Sequence, residues 1–389
     1  MITKILNILH TRLYYFITKV AAPFIKKDKN IVLFSSSGGR YFTGNAKSLF
    51  LYMKENTQLK CIWATSDRNL YLKLKEQYGG GSTGLFHTFD SLKLVLKAKT
   101  VVMTHGTSDM PYVYLGKKTN VIQTWHGTPV KKLGILDSSN KDANIKKFLK
   151  ESERYTAFIS SSKATSWALA ACFGMDARKI YVTGQPRNDI LFKENDRDKI
   201  LNALYPDIPP YDHIILYAPT WREKENARFF PFDDIDWQFF ESFLEKNKIV
   251  IFLRGHINDN IDYIKDSSRI LCMNQDKVED VQDVLNIFDL LITDYSSIYI
   301  DFLLLNRPII YIPYDLKDYE KTRGLLYDYE HIAAGPCVSD FSQLIGSIED
   351  FINNNDFYSE SRARLNDFFN EYKDNKSSGR VYELIKNLL

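Results

Sequence analysis

Short, wholly apolar runs in this chain end repeatedly in a cluster of polar residues, and no other feature narrows the fold as far. LLITDYSSIYID, from Leu290 to Asp301, is an apolar run, then Asp-Tyr-Ser-Ser, then apolar residues at helical spacing. VIQTWHGTPVKKLG (Val121–Gly134), IILYAPTWRE (Ile214–Glu223) and KIVIFLRGH (Lys248–His256) follow the same scheme. Strands that are apolar without alternation are buried on both faces, as in the parallel sheets of α/β proteins. Ligands of open α/β sheets collect beyond the carboxyl ends of the strands, so four polar clusters at such ends predict one ligand site or two facing ones.

Strand and helix patterns alternate from Asn30 onward. In the first half the spacing predicts strands over 31–35, 60–64, 100–104, 120–124, 157–160 and 181–183, with helices over 45–54, 70–77, 91–98, 145–153 and 163–173 between them. The second half predicts strands over 213–217, 249–253, 269–273, 290–293 and 308–312, and helices over 237–245, 281–288 and 298–305. Three further helices, near 341–352, 358–372 and 381–388, close the chain. A charged helix followed by the Pro-rich YPDIPPYD marks a boundary around Lys193–Pro210. A length of 389 residues exceeds one ordinary core, so the expected domains are residues 1–29, 30–195 and 196–389. The fold class is α/β, with two Rossmann-like domains facing a cleft. Hydrophobic content of 44% and aromatic content of 14% exclude a disordered chain. Cys61, Cys172, Cys272 and Cys337 show no paired spacing and read as reduced core thiols of a cytosolic protein.

The net charge of +3 is unevenly placed: residues 1–30 carry +5 and the remainder −2. Within that segment Ile2, Ile5, Leu6, Leu9, Leu13, Phe16, Ile17 and Val20 fall on one helical face. Lys19 interrupts the apolar run, which is shorter than the roughly 20 residues needed to span a bilayer. Two readings remain: a helix lying on an anionic cytoplasmic membrane surface with Tyr14 and Tyr15 near the headgroups, or a helix packed on the protein's own core. Nucleic acid is not an expected partner.

The turn after Thr293 suits a phosphate, because first-turn backbone N–H groups carry partial positive charge and Ser296 and Ser297 add hydroxyls. The bland alternative is that Asp294 or Ser296 caps a helix. Arg222 and Arg254 end apolar runs, and their guanidinium forks match phosphate oxygens; Arg222 paired at the surface with Glu223 or Glu225 is the alternative. His256 lies two residues beyond Arg254, on the same face if the strand persists. His126, on the Gly-Thr-Pro turn, titrates near neutrality and suits a general base, whereas a lone loop histidine is often structural. His105, in THGTSD, is a weaker candidate of the same kind. No metal-ligand spacing and no cofactor motif stands out, so a divalent cation is expected to be dispensable.

TWHGTPVKKLG (124–134), TGQPRND (183–189), YAPTWRE (217–223), RGH (254–256), TDYSSIYIDF (293–302), YDLKDYEKTRG (314–324) and AGPCV (334–338) together resemble the CDP-glycerol glycerophosphotransferase family of teichoic acid and capsule synthesis. The resemblance implies a GT-B-like fold and transfer of a polyol phosphate from CDP-glycerol or CDP-ribitol to an undecaprenyl-linked saccharide or growing chain, with release of CMP. It implies His126 as base and His256 as pyrophosphate contact. Thr220, Arg222, Arg254, Asp294, Ser296, Ser297, Asp301 and Arg323 would serve the donor, and Gly127, Thr128 and Lys131 the acceptor side. Ile257 follows RGH where many members have proline. A nucleotide-sugar glycosyltransferase on the same architecture, or an inactive membrane-bound scaffold, are the rival readings.

Overall fold

A computed structural model describes residues 2–138, 140, 142–220, 222, 228–255 and 267–389, the side chains of residues 2–9 and 143 excepted. The chain forms two compact units, 1–126 with 140–189 and 374–389, and 127–139 with 190–373. It therefore does not divide at a single point.

In the first unit β1 (Asp28–Phe34), β2 (Lys60–Thr65), β3 (Thr83–Leu85), β4 (Ala98–Met103), β5 (Asn120–Gln123), β6 (Ala157–Ser160) and β7 (Ile180–Val182) form one sheet. All of its ladders are parallel, in the order β3-β2-β1-β4-β5-β6-β7. In the second unit β8 (His213–Tyr217), β9 (Ile249–Leu253), β10 (Ile270–Cys272), β11 (Leu290–Thr293) and β12 (Ile309–Tyr311) form a parallel sheet in the order β10-β9-β8-β11-β12. These strands lack hydrophobic alternation because both faces are covered. Ile214, Leu216, Val250 and Phe252 enter one core while Ile215, Tyr217, Ile249, Ile251 and Leu253 enter another. Each sheet reverses its order once, between β1 and β4 and between β8 and β11, which is where an open α/β sheet parts its crossovers and leaves a crevice.

The carboxyl-terminal helix Ser377–Leu388 returns to the first unit, where Val381 and Ile385 join the core of β1 and β2. Asp189 accepts the N–H groups of Ser377 (2.9 Å) and Ser378 (2.8 Å), so a carboxylate sits at that helix's amino end. Burial raises the Asp189 pKa, and the Ser378 and Ser377 hydrogen bonds oppose the shift.

The amino-terminal helix Ile2–Ala21 combines features of both readings. Tyr14 is 5% exposed, bonds Ser91 Oγ (3.0 Å) and meets the His87 ring edge-on; it belongs to the interior, not to a headgroup layer. Thr18 is buried and accepts the Tyr114 N–H. Leu13, Phe16, Val20 and Phe24 point outward, at 51% exposure or more. Among the described residues no helix is long and apolar enough to cross a membrane. Cys61 and Cys172 are core thiols as expected, but Cys272 is half-buried and Cys337 exposed.

AGPCV owes its glycine to a steric limit. A Cβ at Gly335 would lie 1.8 Å from the Ile309 carbonyl oxygen, because this segment runs along β12 through Tyr311 N–H to Pro336 O and Val338 N–H to Tyr311 O. Gly335→Ala should lower unfolding free energy by about 1–3 kcal/mol, the usual cost of overpacking, read as an earlier urea midpoint at unchanged slope.

Candidate functional site

The first unit's reversal point gathers three loops: Ser35–Gly39 after β1, Thr104–Asp109 after β4 and Thr124–His126 after β5. Trp125 has φ +53°, a left-handed conformation that costs an L-residue about 1–2 kcal/mol. Hydrogen bonds from both sides hold it there. Asn45, fully buried, gives its amide to the carbonyls of Thr124 (2.9 Å) and Trp125 (3.0 Å) and to Gln185 Oε1 (2.5 Å). Its own carbonyl oxygen accepts the Arg187 N–H (3.1 Å), while Arg187 Nη1 donates to the His126 carbonyl (2.7 Å). Gln123 Oε1 accepts the Trp125 N–H (2.9 Å).

This turn presents the exposed His126 at a strand end. Its Nδ1 lies 3.3 Å from the Thr104 carbonyl oxygen, which can only accept, so the neutral ring carries its proton on Nδ1 and its lone pair on Nε2. Trp125 packs on one side of the ring at 4.2 Å, and His105 stacks against it at 4.1 Å with the planes 9° apart. Desolvation lowers the His105 pKa, partly opposed by the charge of Asp109.

At the second unit's reversal point, Asp294 after β11 binds the loop after β8. Its Oδ1 accepts from Thr220 N (2.7 Å), Thr220 Oγ1 (2.6 Å) and Tyr295 N (2.6 Å). Its Oδ2 pairs with Arg222 Nη2 at 2.9 Å. Arg222 also grips Asp315 through Nε and Nη2, both at 2.9 Å, and lies 5.3 Å from the rings of Tyr295, Tyr314 and Tyr319. Desolvation works against its charge, but the hydrogen bonds to Asp315 and the charge of Asp294 outweigh it and raise the pKa. Among the described residues its partners are two carboxylates of its own unit and the Thr220 carbonyl (2.6 Å); Glu223 and Glu225 lie outside the described residues.

Arg254 spends its fork on the carbonyls of Met273 (3.0 Å), Val278 (2.5 Å) and Glu279 (3.4 Å), and desolvation lowers its pKa against the opposing charge of Asp280. Ser296 and Ser297 stand half-buried ahead of the helix Ile298–Phe302, beside the Asp294 network. Asp301 is buried within that helix and accepts from Gln282 Nε2 (3.0 Å). Arg323 pairs with the buried Asp137 at 3.2 Å.

Gly127, Thr128 and Lys131 open a segment that belongs to the second unit, where Lys131 bridges Leu325 and Leu326 N–H reaches Val130 O. His256 lies outside the described residues. The structure therefore brings Thr220, Arg222, Asp294, Ser296 and Ser297 together in one unit and sets His126 beside His105 in the other. Sequence reasoning missed Asn45, Gln185, Arg187 and Asp315 as individual residues. The Thr-Gly-Asn between β1 and its helix was the available signal for the first of them, and TGQPRND and YDLKDYEKTRG contain the others.

A family model for CDP-glycerol:poly(glycerophosphate) glycerophosphotransferase matches residues 15–387, and the chain belongs to that family. It is 31% identical over 380 residues to the teichoic acid glycerol-phosphate transferase of Staphylococcus aureus (strain NCTC 8325 / PS 47), covering 92% of this chain and 93% of the relative. It is 29% identical over 408 residues to the teichoic acid glycerol-phosphate primase of Bacillus subtilis (strain 168), covering 99% and 100%. A structure of the wall teichoic acid polymerase TagF with CDPG shares the fold at a TM-score of 0.82 and 24% identity, covering 99% and 96%. The expected α/β class with parallel sheets holds.

Asn45→Ala should leave the Thr124 and Trp125 carbonyls unpaired, at about 1–3 kcal/mol of stability, and release the left-handed turn. The expected outcome is a folded protein at reduced urea midpoint with turnover at least about tenfold down, since a small misplacement of a reacting group is costly.

Proposed function

We propose that this chain transfers glycerol phosphate, or a related polyol phosphate, from its CDP-linked donor to a hydroxyl of an undecaprenyl-linked saccharide or growing teichoic acid or capsule chain. The observation that carries the reading is the contact of His126 Nδ1 with the Thr104 carbonyl oxygen at 3.3 Å, which leaves Nε2 as the basic nitrogen of a family member at a strand end on a tightly held turn. The acceptor hydroxyl attacks the β-phosphorus of the donor in line. His126 Nε2 takes the hydroxyl proton, the new P–O bond forms, and the bond from β-phosphorus to the bridging oxygen breaks so that CMP leaves.

The second unit's reversal point would hold the donor. First-turn N–H groups and the hydroxyls at Ser296 and Ser297 suit the pyrophosphate, with His256 as a second cationic contact. Thr220, Arg222, Asp294 and Asp315 fix the loops around it. Arg254 acts through the 273–279 loop it ties down, and Asp301 and Arg323 support the surrounding elements. Glycerol is favoured over ribitol by the likeness to the glycerol-phosphate transferase of S. aureus.

Nucleotide release from CDP-glycerol and from CDP-ribitol, with and without a short-chain lipid disaccharide, followed by mass spectrometry of the lipid, tests this reading. CMP with a gain of alditol-phosphate mass is expected, whereas no nucleotide release from either donor would favour a nucleotide-sugar glycosyltransferase or an inactive scaffold. His126→Ala should lose about 10²–10⁴ of the rate, and more than half the activity retained would remove His126 as base.

A peripheral position on the cytoplasmic membrane face completes the proposal. It is supported by the outward Leu13, Phe16, Val20 and Phe24 and by Lys26, Lys27, Lys29, Lys99 and Lys118 around one surface pocket beside Phe24. Co-sedimentation with vesicles containing phosphatidylglycerol should fall on changing Phe16 and Phe24 together to Glu; equal binding by that variant would argue for a helix that serves only its own core.

A further inference from the structure

The loop after β4 holds a second histidine whose arrangement complements that of His126. His105 Nδ1 lies 3.3 Å from the backbone nitrogen of Ser37 and 2.7 Å from the Thr104 hydroxyl. A backbone N–H can only donate, so Nδ1 of His105 holds a lone pair and the ring proton is on Nε2. The Thr104 hydroxyl, 2.7 Å from that nitrogen, lies 3.1 Å from Asp109 Oδ2, which also accepts the N–H groups of Thr104 (2.6 Å) and His105 (2.8 Å), so the lone pair on Nδ1 is assigned by the Ser37 N–H. Asp109 Oδ1 accepts the Gly38 N–H at 2.7 Å, which locks the β1 and β4 loops together. The two rings are thus parallel, and both turn Nδ1 toward Thr104, one to its carbonyl and one to its hydroxyl. Their Nε2 edges face away from that residue with opposite character, a lone pair on His126 and an N–H on His105.

We propose that His105 is a second catalytic residue, whose Nε2–H donates to the oxygen of the acceptor hydroxyl while His126 Nε2 receives that hydroxyl's proton. A hydroxyl clamped in this way accepts one hydrogen bond and donates another, and its remaining lone pair is aimed by the pair of rings instead of by solvent. The step conserves the His105 proton: only the hydroxyl proton moves, to His126, as the oxygen–phosphorus bond forms. The clamp selects a neutral alcohol oxygen over a phosphate oxygen, since a phosphate oxygen has no proton for His126 to accept. Among the described residues, charged groups bound to the loops of the pair include Asp109 and Glu151, which accept N–H groups of the His105 loop, and Arg187, whose guanidinium is bound to the His126 carbonyl. Desolvation of the His105 ring agrees with a neutral donor.

This inference rests on His126 as the base, and the experiment separates the two. Kinetic constants for CDP-glycerol and a short-chain lipid disaccharide acceptor are measured for His105→Phe, His105→Gln and His126→Ala, each with a melting curve. Phenylalanine keeps the ring stack and loses the donor; glutamine restores an N–H. The expected result is a loss in kcat of about 10²-fold for His105→Phe, of the order seen when one donor to a reacting oxygen is removed. The KM for CDP-glycerol stays within about twofold of the wild type, and His105→Gln recovers at least about tenfold of the loss. A His105→Phe enzyme within threefold of wild type, or a glutamine variant no more active than phenylalanine, overturns the proposal.

Ring nitrogen NMR of the wild-type protein gives a readout independent of activity. It should assign the proton to Nε2 in His105 and to Nδ1 in His126; the same tautomer in both rings would also overturn it. If His126→Ala alone remains active, the base assignment fails, while the NMR result still decides the tautomer pair.

Discussion

A single buried amide, Asn45, is the point on which the candidate catalytic loop depends. The carbonyls of Thr124 and Trp125 follow a parallel strand, where no ladder continues to satisfy them, and a buried carbonyl left unpaired costs about 1–3 kcal/mol. Asn45 meets both, and through Gln185 and Arg187 it ties the helix after β1 to the loop after β7. Trp125 can then remain left-handed and His126 can stand out from the strand end with Nδ1 against Thr104. Such strain persists only where the surroundings over-determine it, and here three carbonyls and an N–H of the loop are engaged. The position of the proposed base is in this way fixed by residues far from it in sequence.

The second unit solves the same problem with charge. Asp294 and Asp315 bracket Arg222, and three tyrosine rings surround the guanidinium, so the loops after β8 and β11 are fixed by a network with one more negative than positive charge. Exchanging both kinds of partner for solvent would leave two carboxylates in a poorly solvated place, and breaking a buried pair typically costs about 3–5 kcal/mol. A net negative wall does not attract a pyrophosphate. In the proposed function Arg222 would therefore shape the crevice, and the charge of a pyrophosphate would be met by backbone N–H groups at the turn before the helix Ile298–Phe302 and by cations beyond this network.

Strand positions were legible because they needed no partner to be recognised. Runs such as IVIFL are buried on both faces, and eleven of the twelve observed strands fall on apolar runs expected from sequence, within two or three residues at each end. The missed one, Thr83–Leu85, is a three-residue edge strand with a glycine at its centre, and nothing in its composition separates it from a loop. The helix expected over Val281–Phe288 is two 3-10 turns, because Val284 leaves helical geometry and Gln282 and Asn286 bond outward, to Asp301 and to the carbonyls of Ile190 and Lys193. Tyr14 read as an interfacial aromatic until its hydroxyl found Ser91, a residue 77 positions away. The polar clusters at strand ends were legible as a class, yet the identity of their partners was not: Asn45 reaches Gln185 across 140 residues, and Arg222 reaches Asp315 across 93.

The strand order of both sheets reverses once, and both place a network of bonded polar residues at that reversal. The cause is topological before it is chemical. Where successive crossovers turn to opposite faces, the loops part, and the strand ends there are the ones no helix covers. Backbone groups at those ends must find side-chain partners, so the chain concentrates Asn, Asp, Thr and Arg at the same places where a ligand can enter. The polar residues that first satisfy the fold are therefore already ordered around the crevice, and a candidate for the chemistry, such as His126, need only be mounted on them.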